Sequence, residues 1–389
     1  MNFSEHHLIL LLFRLILFII VVCNAYSLSK KQTAIKLLDF YPTIIGYTLY
    51  AGLRWGRGID YNIYYWIYQD IINGYGRENN EPLFELLVKL FGGLGLEWQY
   101  FVIFMSFFLI FSGCFFLKHF NRELLFLLPF FVFSIGLAEN LMRWYLGLSF
   151  ILIGLYYLLR NQQTKFFILS FLAFFIHYGL ILDIFCFYAI WLIFKRPLAK
   201  PMISICLYLI FYFFFSPEFM GRFANTISMI DMGTKFLSYQ ENAKDWLTGN
   251  AHDDVRDTLS FFNIISSIYI IYIGYIHCKK IGEKSIISLY NWALIGLIFR
   301  PAAVQIEIAM RINAPFVLMT YLSAAYMCYN ILFTYKKSYS YFIQSVTIVF
   351  LLYNIYSLVF APVLHAAEHS TYFIWDSEGR KVLPLYIFK

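Results

Sequence analysis

The sequence predicts an all-α, polytopic membrane protein with about twelve transmembrane helices and one re-entrant or short interfacial helix. Three observations carry this expectation. The 389 residues are 61% apolar and 22% aromatic but only 14% charged, whereas soluble domains carry about 25% charged residues. Apolar runs of roughly 17–25 residues, long enough to cross a bilayer as helix, recur along the chain. The alternating ten-residue segments of a membrane β-barrel are not found, so backbone hydrogen bonds in lipid must close within helices.

The elements follow in order. The first apolar run, 8–26, has Arg14 inside it and no small-residue cleavage site, and reads as the first span rather than a removed leader. Further runs fall near 37–53, 98–117, 124–138, 140–159, 166–177, 179–194, 201–216, 259–278, 286–300, 312–334 and 340–361. The stretch 82–96, PLFELLVKLFGGLGL, contains Lys89 and Glu85 and follows Glu81. It is too short and too polar for an easy span and reads as a half-helix. The chain is expected to be a single integral membrane domain over 1–389. Six single cysteines without a CxxC pair read as small buried residues.

Basic residues orient this threading. Lys30, Lys31, Lys36, Lys118, Arg122, Arg160, Lys165, Lys195, Arg196, Lys200, Lys279, Lys280, Lys284, Lys336 and Lys337 sit in short connectors that fall on one side. The positive-inside rule makes that side cytoplasmic, with both termini outside. The opposite face receives the loops 54–81 and 217–258 and the tail 362–389. It also receives charged residues at helix ends: Arg54, Arg57, Asp60, Glu81, Arg143, Arg300, Glu307 and Arg311, with His177 between two short apolar runs. Charge at the edge of membrane segments is expensive and usually functional. A working site at the outer membrane surface is therefore expected.

The stretch GLRWGRGIDYNIYY, Gly52–Tyr65, concentrates this charge. Its glycines allow a tight turn and close approach to a ligand. Arg54 and Arg57 have the forked geometry that binds phosphate, and Asp60 is a candidate base or orienter. The residues after it, Tyr61–Ile72, suit a helix lying in the interface, where tyrosine and tryptophan concentrate. The plain alternative is an aromatic belt beside a solvated charge cluster. In ENLMRWYLG, Arg143 lies four residues after Glu139, which predicts either an intrahelical pair or a cation facing a polar cavity. FFIHYG buries His177 among aromatics, as a structural residue or as a base. IEIAMRINAPF repeats the i,i+4 spacing with Glu307 and Arg311. HDDVRD, 252–257, lacks ligand spacing, and no metal site is expected. Neither a nucleotide loop nor a hydrolase or zinc-protease motif is present.

In this order, GLRWGRGIDYNIYY, EPLFELL, LMRWYLG, FFIHYG and EIAMRI resemble the EpsG/Wzy group of bacterial polysaccharide polymerases. That group carries an R-x-x-x-G-x-D-x-x-x-Y element, matched here by Arg54, Gly58, Asp60 and Tyr64, then a Glu-Pro pair, an Arg-containing helix start, a Phe-x-His-Tyr turn and a late arginine. LMRW departs from the group, where glutamine or a small residue more often follows the arginine. The resemblance implies a GT-C-like, metal-independent glycosyltransferase with no cofactor. It would move a growing glycan from undecaprenyl pyrophosphate onto the terminal sugar of an incoming lipid-linked repeat unit, at the outer face of the inner membrane.

On that reading Arg54, Arg57, Arg143 and Arg311 meet the pyrophosphate, where charge develops as the glycosidic bond breaks. Asp60, His177 and Glu81 are the candidate bases. Tyr61, Tyr64 and Tyr178, with Glu139 and Glu307, support the site. The implied partners are the lipid-linked oligosaccharide, membrane lipid and a Wzz-type chain-length regulator, and no nucleic acid. Rival readings are a lipid-linked oligosaccharide flippase, for which inverted repeats and midplane polar residues would be expected, an O-antigen ligase, and an acyltransferase.

Overall fold

The computed structural model describes residues 5–58, 60–75, 81–215, 261–305, 307–364 and 371–375, without the side chains of 305, 307 and 308. Among them no strand forms, and a single antiparallel bridge joins Arg54 to Phe373. Among the described residues seven helices are long and apolar enough to cross a membrane: Glu5–Ser29, Trp98–Leu117, Met142–Leu159, Phe261–Ile281, Lys284–Val304, Ala309–Thr334 and Tyr341–Leu364. Four shorter apolar helices accompany them, Leu124–Glu139, Gln163–Ile176, Tyr178–Ile193 and Pro201–Phe214. The polytopic all-helical class expected from composition is thus present, with seven full-length candidates where twelve crossings were expected.

The chain divides into two compact units, residues 1–184 with 328–389, and residues 185–327. In the first unit, α1 (Glu5–Ser29) packs on α2 (Tyr41–Gly52) and on α6 (Leu124–Ser134). Helix α5 (Trp98–Leu117) lies between α2 and α7 (Met142–Leu159), and α7 packs on α8 (Gln163–Ile176). Between lipid-solvated helices, small residues permit close approach. At Gly113 of α5 an added Cβ would overlap the Phe131 ring of α6.

The expected interfacial helix is α3 (Tyr61–Ile72), and the half-helix at 82–96 is α4 (Pro82–Gly93). Proline at the start of α4 suits a position whose N–H needs no helical partner. Tyr61, Tyr64, Ile67 and Tyr68 recur at helical spacing and form the buried face of α3. They pack with Phe84 and Val88 of α4 and Trp98 and Phe101 of α5 in one apolar cluster. Edge-to-face pairs reinforce it, Tyr61–Trp98 at 5.7 Å and Phe84–Phe101 at 5.8 Å. Each such pair adds about 0.5–1.5 kcal/mol beyond area burial.

Arg14 shows how a charge is carried inside α1. Its Nη1 donates to the Tyr50 hydroxyl at 3.0 Å and its Nη2 to the Leu358 carbonyl at 2.7 Å. Leu358 lies in a π-helical turn, Tyr356–Phe360, after α14 (Tyr341–Ile355). Such a turn breaks the i→i−4 ladder and frees carbonyls, and one of them receives the guanidinium.

In the second unit, α10 (Pro201–Phe214) packs on α11 (Phe261–Ile281) and α12 (Lys284–Gln305). Helix α13 (Glu307–Tyr329) approaches α12 at Gly296, where an added Cβ would meet the Phe316 carbonyl. Asn313 Nδ2 donates to the Gly296 carbonyl at 3.0 Å, and Thr320 Oγ1 to that of Ala293 at 3.0 Å. Trp292 Nε1 donates to the Phe187 carbonyl at 3.1 Å, on α9 (Ile181–Ile193). These bonds satisfy polar groups that lipid would leave bare.

Candidate functional site

Two charged centres form in the first unit, at the ends of α2 and α8 and the starts of α3, α4, α5 and α7. The more open one is built on Glu81, the N-cap position of α4. Its Oε2 accepts from Arg143 Nη1 at 2.9 Å, and its Oε1 pairs with His177 Nδ1. Arg143 is the second residue of α7, and His177 ends α8 in extended backbone, φ −155°, so its ring leaves the helical path. The Trp144 ring stands edge-on to His177 at 4.9 Å. Gly179 makes room for that indole, because an added Cβ would touch it. The Arg143 guanidinium lies over Tyr64 and Phe84, 5.4 and 5.5 Å from their centroids. It also shares a side-chain hydrogen bond with Tyr64 and lies within electrostatic reach of Asp60. Asp60 caps the start of α3, its carbonyl accepting from Tyr64 N at 3.0 Å. The Arg143 and His177 side chains keep 25% and 22% of their surface exposed.

The second centre is closed. Arg54 and Arg57 are only 3% and 4% exposed. Arg54 Nη1 donates to the Ala51 carbonyl and, at 3.3 Å, to Ser106 Oγ. Arg57 Nη2 donates to the Tyr50 carbonyl at 2.9 Å, and its Nε meets Glu139 Oε2 at 3.0 Å as an ion-pair contact. Its guanidinium is held between rings, 4.7 Å from Tyr50 and 5.2 Å from Phe373. Burial pulls the Arg54 pKa below the ordinary guanidinium value, and Glu139 pulls the other way.

Residues Thr371–Trp375 lie across this centre. Trp55 N donates to the Tyr372 carbonyl and Ile374 N to the Leu53 carbonyl, both at 3.1 Å. Phe373 and Trp375 stack at 4.9 Å. Beneath Arg54 a cavity of about 20 Å³, lined by Tyr47, Ser106, Glu139 and Tyr145 among others, has room for about one water. It is too small for a pyrophosphate.

The loop between α2 and α3 turns at Gly56 and Gly58, both at positive φ (66° and 110°). Gly58 also presses on the turn before α7, where an added Cβ would meet the Glu139 carbonyl and the Asn140 side chain. Gly58→Ala is therefore expected to lower stability by about 3 kcal/mol or more, combining strain with overlap. Gly56→Ala, with nothing near its Cβ, is expected to lose about 1 kcal/mol. Paired thermal melts in detergent check the difference, and equal losses would remove the role of the Gly58–Glu139 contact.

The structure thus brings together Asp60, Tyr64, Glu81, Arg143 and His177, and gathers Arg54, Arg57 and Glu139 beside them. Glu139 pairs with Arg57 rather than with Arg143, the intrahelical option left open by the sequence. Tyr61 is fully buried, its hydroxyl donating to Gln99 Oε1 at 3.3 Å, and burial pushes its phenol up to about 12. Tyr178 is 43% exposed and packs on Phe174 at 4.9 Å. Arg311 lies in α13, in the other unit. The Glu307 side chain, the loop 217–258 with its HDDVRD cluster, and residues 365–370 and 376–389 of the tail lie outside the described residues.

Sequence reasoning missed three contributors. Gln99 Nε2 donates to the carbonyls of Gly52 and Arg54, tying the motif loop to α5. Trp144 and Phe373 were also missed. The Phe373 signal was available in TYFIW, 371–375, an aromatic run beyond the last expected span.

No curated protein and no solved structure matches the chain. The family model described as "EpsG family" matches residues 37–370. That match contains all five motif stretches and every charged residue of both centres, and the chain belongs to the EpsG family, the family of Wzy/EpsG-type polysaccharide polymerases.

Proposed function

We propose that this protein is a glycosyltransferase that polymerises lipid-linked repeat units, and that Glu81, His177 and Arg143 form its reacting centre. The observation that carries this reading is the single carboxylate, Glu81, that holds a histidine and an arginine side by side, both partly open. A carboxylate on Nδ1 fixes the ring so that Nε2 is free to accept a proton. The acceptor hydroxyl attacks the anomeric carbon of the growing glycan, and its proton passes to His177 Nε2. The bond from that carbon to the pyrophosphate oxygen breaks, and the charge gathering there is met by Arg143. Asp60, close to Arg143, orients this cation or receives the proton in place of His177.

On this reading the donor is a glycan on undecaprenyl pyrophosphate and the acceptor is an incoming unit on the same carrier. Both sit at the outer face of the cytoplasmic membrane of a bacterium. The exposed Tyr178 offers a face on which a sugar ring stacks, while the buried Tyr64 supports Arg143 from below. Arg54 and Arg57 frame the centre rather than touch phosphate in this conformation, since both are buried and bonded to protein groups. About twelve crossings in a GT-C-like arrangement, Arg311 as a further phosphate ligand, a chemistry that needs neither metal nor cofactor, and a Wzz-type regulator belong to the same proposal.

Turnover of purified protein with one defined undecaprenyl-pyrophosphate repeat unit, read by mass spectrometry, tests it. Products spaced by one repeat-unit mass, formed equally in EDTA, are expected. Unchanged units moved across a vesicle bilayer would make it a transporter, and transfer only to added lipid A would make it a ligase.

A further inference from the structure

The bond to Glu81 fixes one atom of the His177 ring, and a ring held at one atom can still turn. The backbone beneath it cannot. His177 N donates to the Ala173 carbonyl at 3.0 Å and Leu180 N to the His177 carbonyl at 3.1 Å, so the chain leaves α8 through a 3-10 turn, Tyr178–Leu180. Two glycines seat that turn on α7. An added Cβ at Gly147 of α7 would overlap Leu180, and one at Gly179 of the turn would overlap Trp144. The freedom that remains is in the imidazole itself. The second side-chain torsion of histidine has broad wells, and a half-turn about it puts Cδ2 in place of the Nδ1 that meets Glu81 Oε1.

Trp144 stands where that rotation is decided. The two rings are nearly perpendicular, 86° apart with centroids at 4.9 Å. An added Cβ on Gly179 would lie 2.7 and 3.2 Å from Cζ3 and Cη2 of the indole and 3.7 Å from His177 Cε1. The six-membered edge of Trp144 and the carbon between the two imidazole nitrogens thus flank one glycine. Trp144 is 4% exposed, while the His177 side chain is partly open, so the packed indole is the wall and the imidazole takes its orientation from it. Arg143 and Trp144 are consecutive, and the first turn of α7 therefore carries both the cation held by Glu81 and the ring beside His177.

One feature separates Trp144 from ordinary packing. Its Nε1 is buried and, among the described residues, has no hydrogen-bond partner. A buried indole N–H usually finds one, and an orphan donor carries a desolvation cost. An apolar side chain would fill the position without that cost, so the reach and flatness of the indole are what the position uses.

We propose that Trp144 is a positioning residue for the reaction at Glu81, holding the His177 ring in one orientation with Nδ1 on the carboxylate and Nε2 turned to the acceptor. A hydrogen bond at one nitrogen and a perpendicular wall at the neighbouring carbon together define the ring plane, which neither does alone. This role presupposes His177 as the base, and Trp144 itself touches no reacting atom. Its effect on rate is that of geometry, since a shift of about 1 Å in a reacting group costs about a hundredfold.

Repeat-unit transfer by Trp144→Ala, Trp144→Phe and Gly179→Ala, together with 15N NMR of imidazole-labelled protein, tests it. The His177 resonances are identified by their loss in His177→Gln. In the unaltered chain a single tautomer is expected, with the proton on Nδ1. Trp144→Ala is expected to mix the two tautomers and to lower kcat about 10–100-fold, with KM changed less than about threefold. Gly179→Ala guards against misfolding of that variant, because its methyl presses on the indole without removing it. The same mixing and a kcat lower by about tenfold are expected, with the protein still inserted. Trp144→Phe keeps an aromatic edge and drops the orphan N–H, and is expected to keep most of the kcat. One tautomer and native kcat in both Trp144→Ala and Gly179→Ala would overturn the positioning role. So would a Trp144→Phe protein as slow as Trp144→Ala, since the N–H and not the ring would then be the working part. Mixed tautomers with undiminished transfer would support the hold on the ring and remove His177 as the base instead.

Discussion

Replacing His177 with alanine is expected to lower repeat-unit transfer by roughly 10²–10⁴-fold, the usual contribution of a positioned acid–base group, while leaving the protein in the membrane. His177 is partly exposed and, among the described residues, its polar partner is Glu81 Oε1, so little packing is lost with the ring. Glu81→Ala is expected to be at least as damaging, because the same carboxylate also holds Arg143 at 2.9 Å. The two substitutions should not add, since residues that act as one unit give strongly non-additive losses. Arg143→Lys keeps the charge but not the fork that engages Glu81 and a phosphate together. Its expected signature is a reduced kcat with the chain still inserted. Ladder gels of surface polysaccharide and single-turnover assays with a lipid-linked unit provide the measurements. A His177→Ala protein that keeps a third or more of its activity would eliminate the base role.

The second large effect concerns stability. Arg57→Ala removes a guanidinium that is 4% exposed, bonded to the Tyr50 carbonyl, paired with Glu139 and held between two rings. Breaking a buried pair from one side destabilises by about 3–5 kcal/mol. The lower end is expected, since a fifth of the Glu139 side chain is exposed and can recover solvent. A cycle of Arg57→Met, Glu139→Gln and both together should show coupling between the two sites. The outcome separates two roles. A framing arginine gives a lower melting temperature, with turnover falling in parallel. An arginine that meets pyrophosphate directly gives an unchanged melt and lost turnover, and that result would reverse the assignment made here.

Much of the fold was legible because lipid leaves the backbone few options. Composition and run length identify helices in such a chain, and the half-helix at 82–96 was readable from its short apolar run with Glu81, Glu85 and Lys89. The pairings were not legible. Glu81 reaches Arg143 and His177 across 62 and 96 positions, and no local spacing encodes which carboxylate meets which cation. The i,i+4 spacing of Glu139 and Arg143 was a real local signal, yet it lost to a tertiary partner. Gly58 brings the Arg57 loop against the turn before α7, and Arg57 takes Glu139 there. The motif arginines were conspicuous in sequence because charge is rare in this chain. Their burial could not be seen, because it depends on Phe373 returning from the far end.

That return has a bearing on how the protein is made. The backbone groups of Leu53 and Trp55 find partners in Ile374 and Tyr372, so the loop after α2 is completed by a segment more than 300 positions later in the chain. Contacts between such distant positions form late, since the chain between them must first be ordered. A chain still emerging from the ribosome can insert its helices, but its arginine centre lacks the aromatic cover of Phe373 until that residue has been made. A truncated product stopping before Thr371 would carry the family's motifs and remain in the membrane with that centre open. Residues 371–375 therefore tie the cover of the arginine centre to a segment made after every span of the first unit.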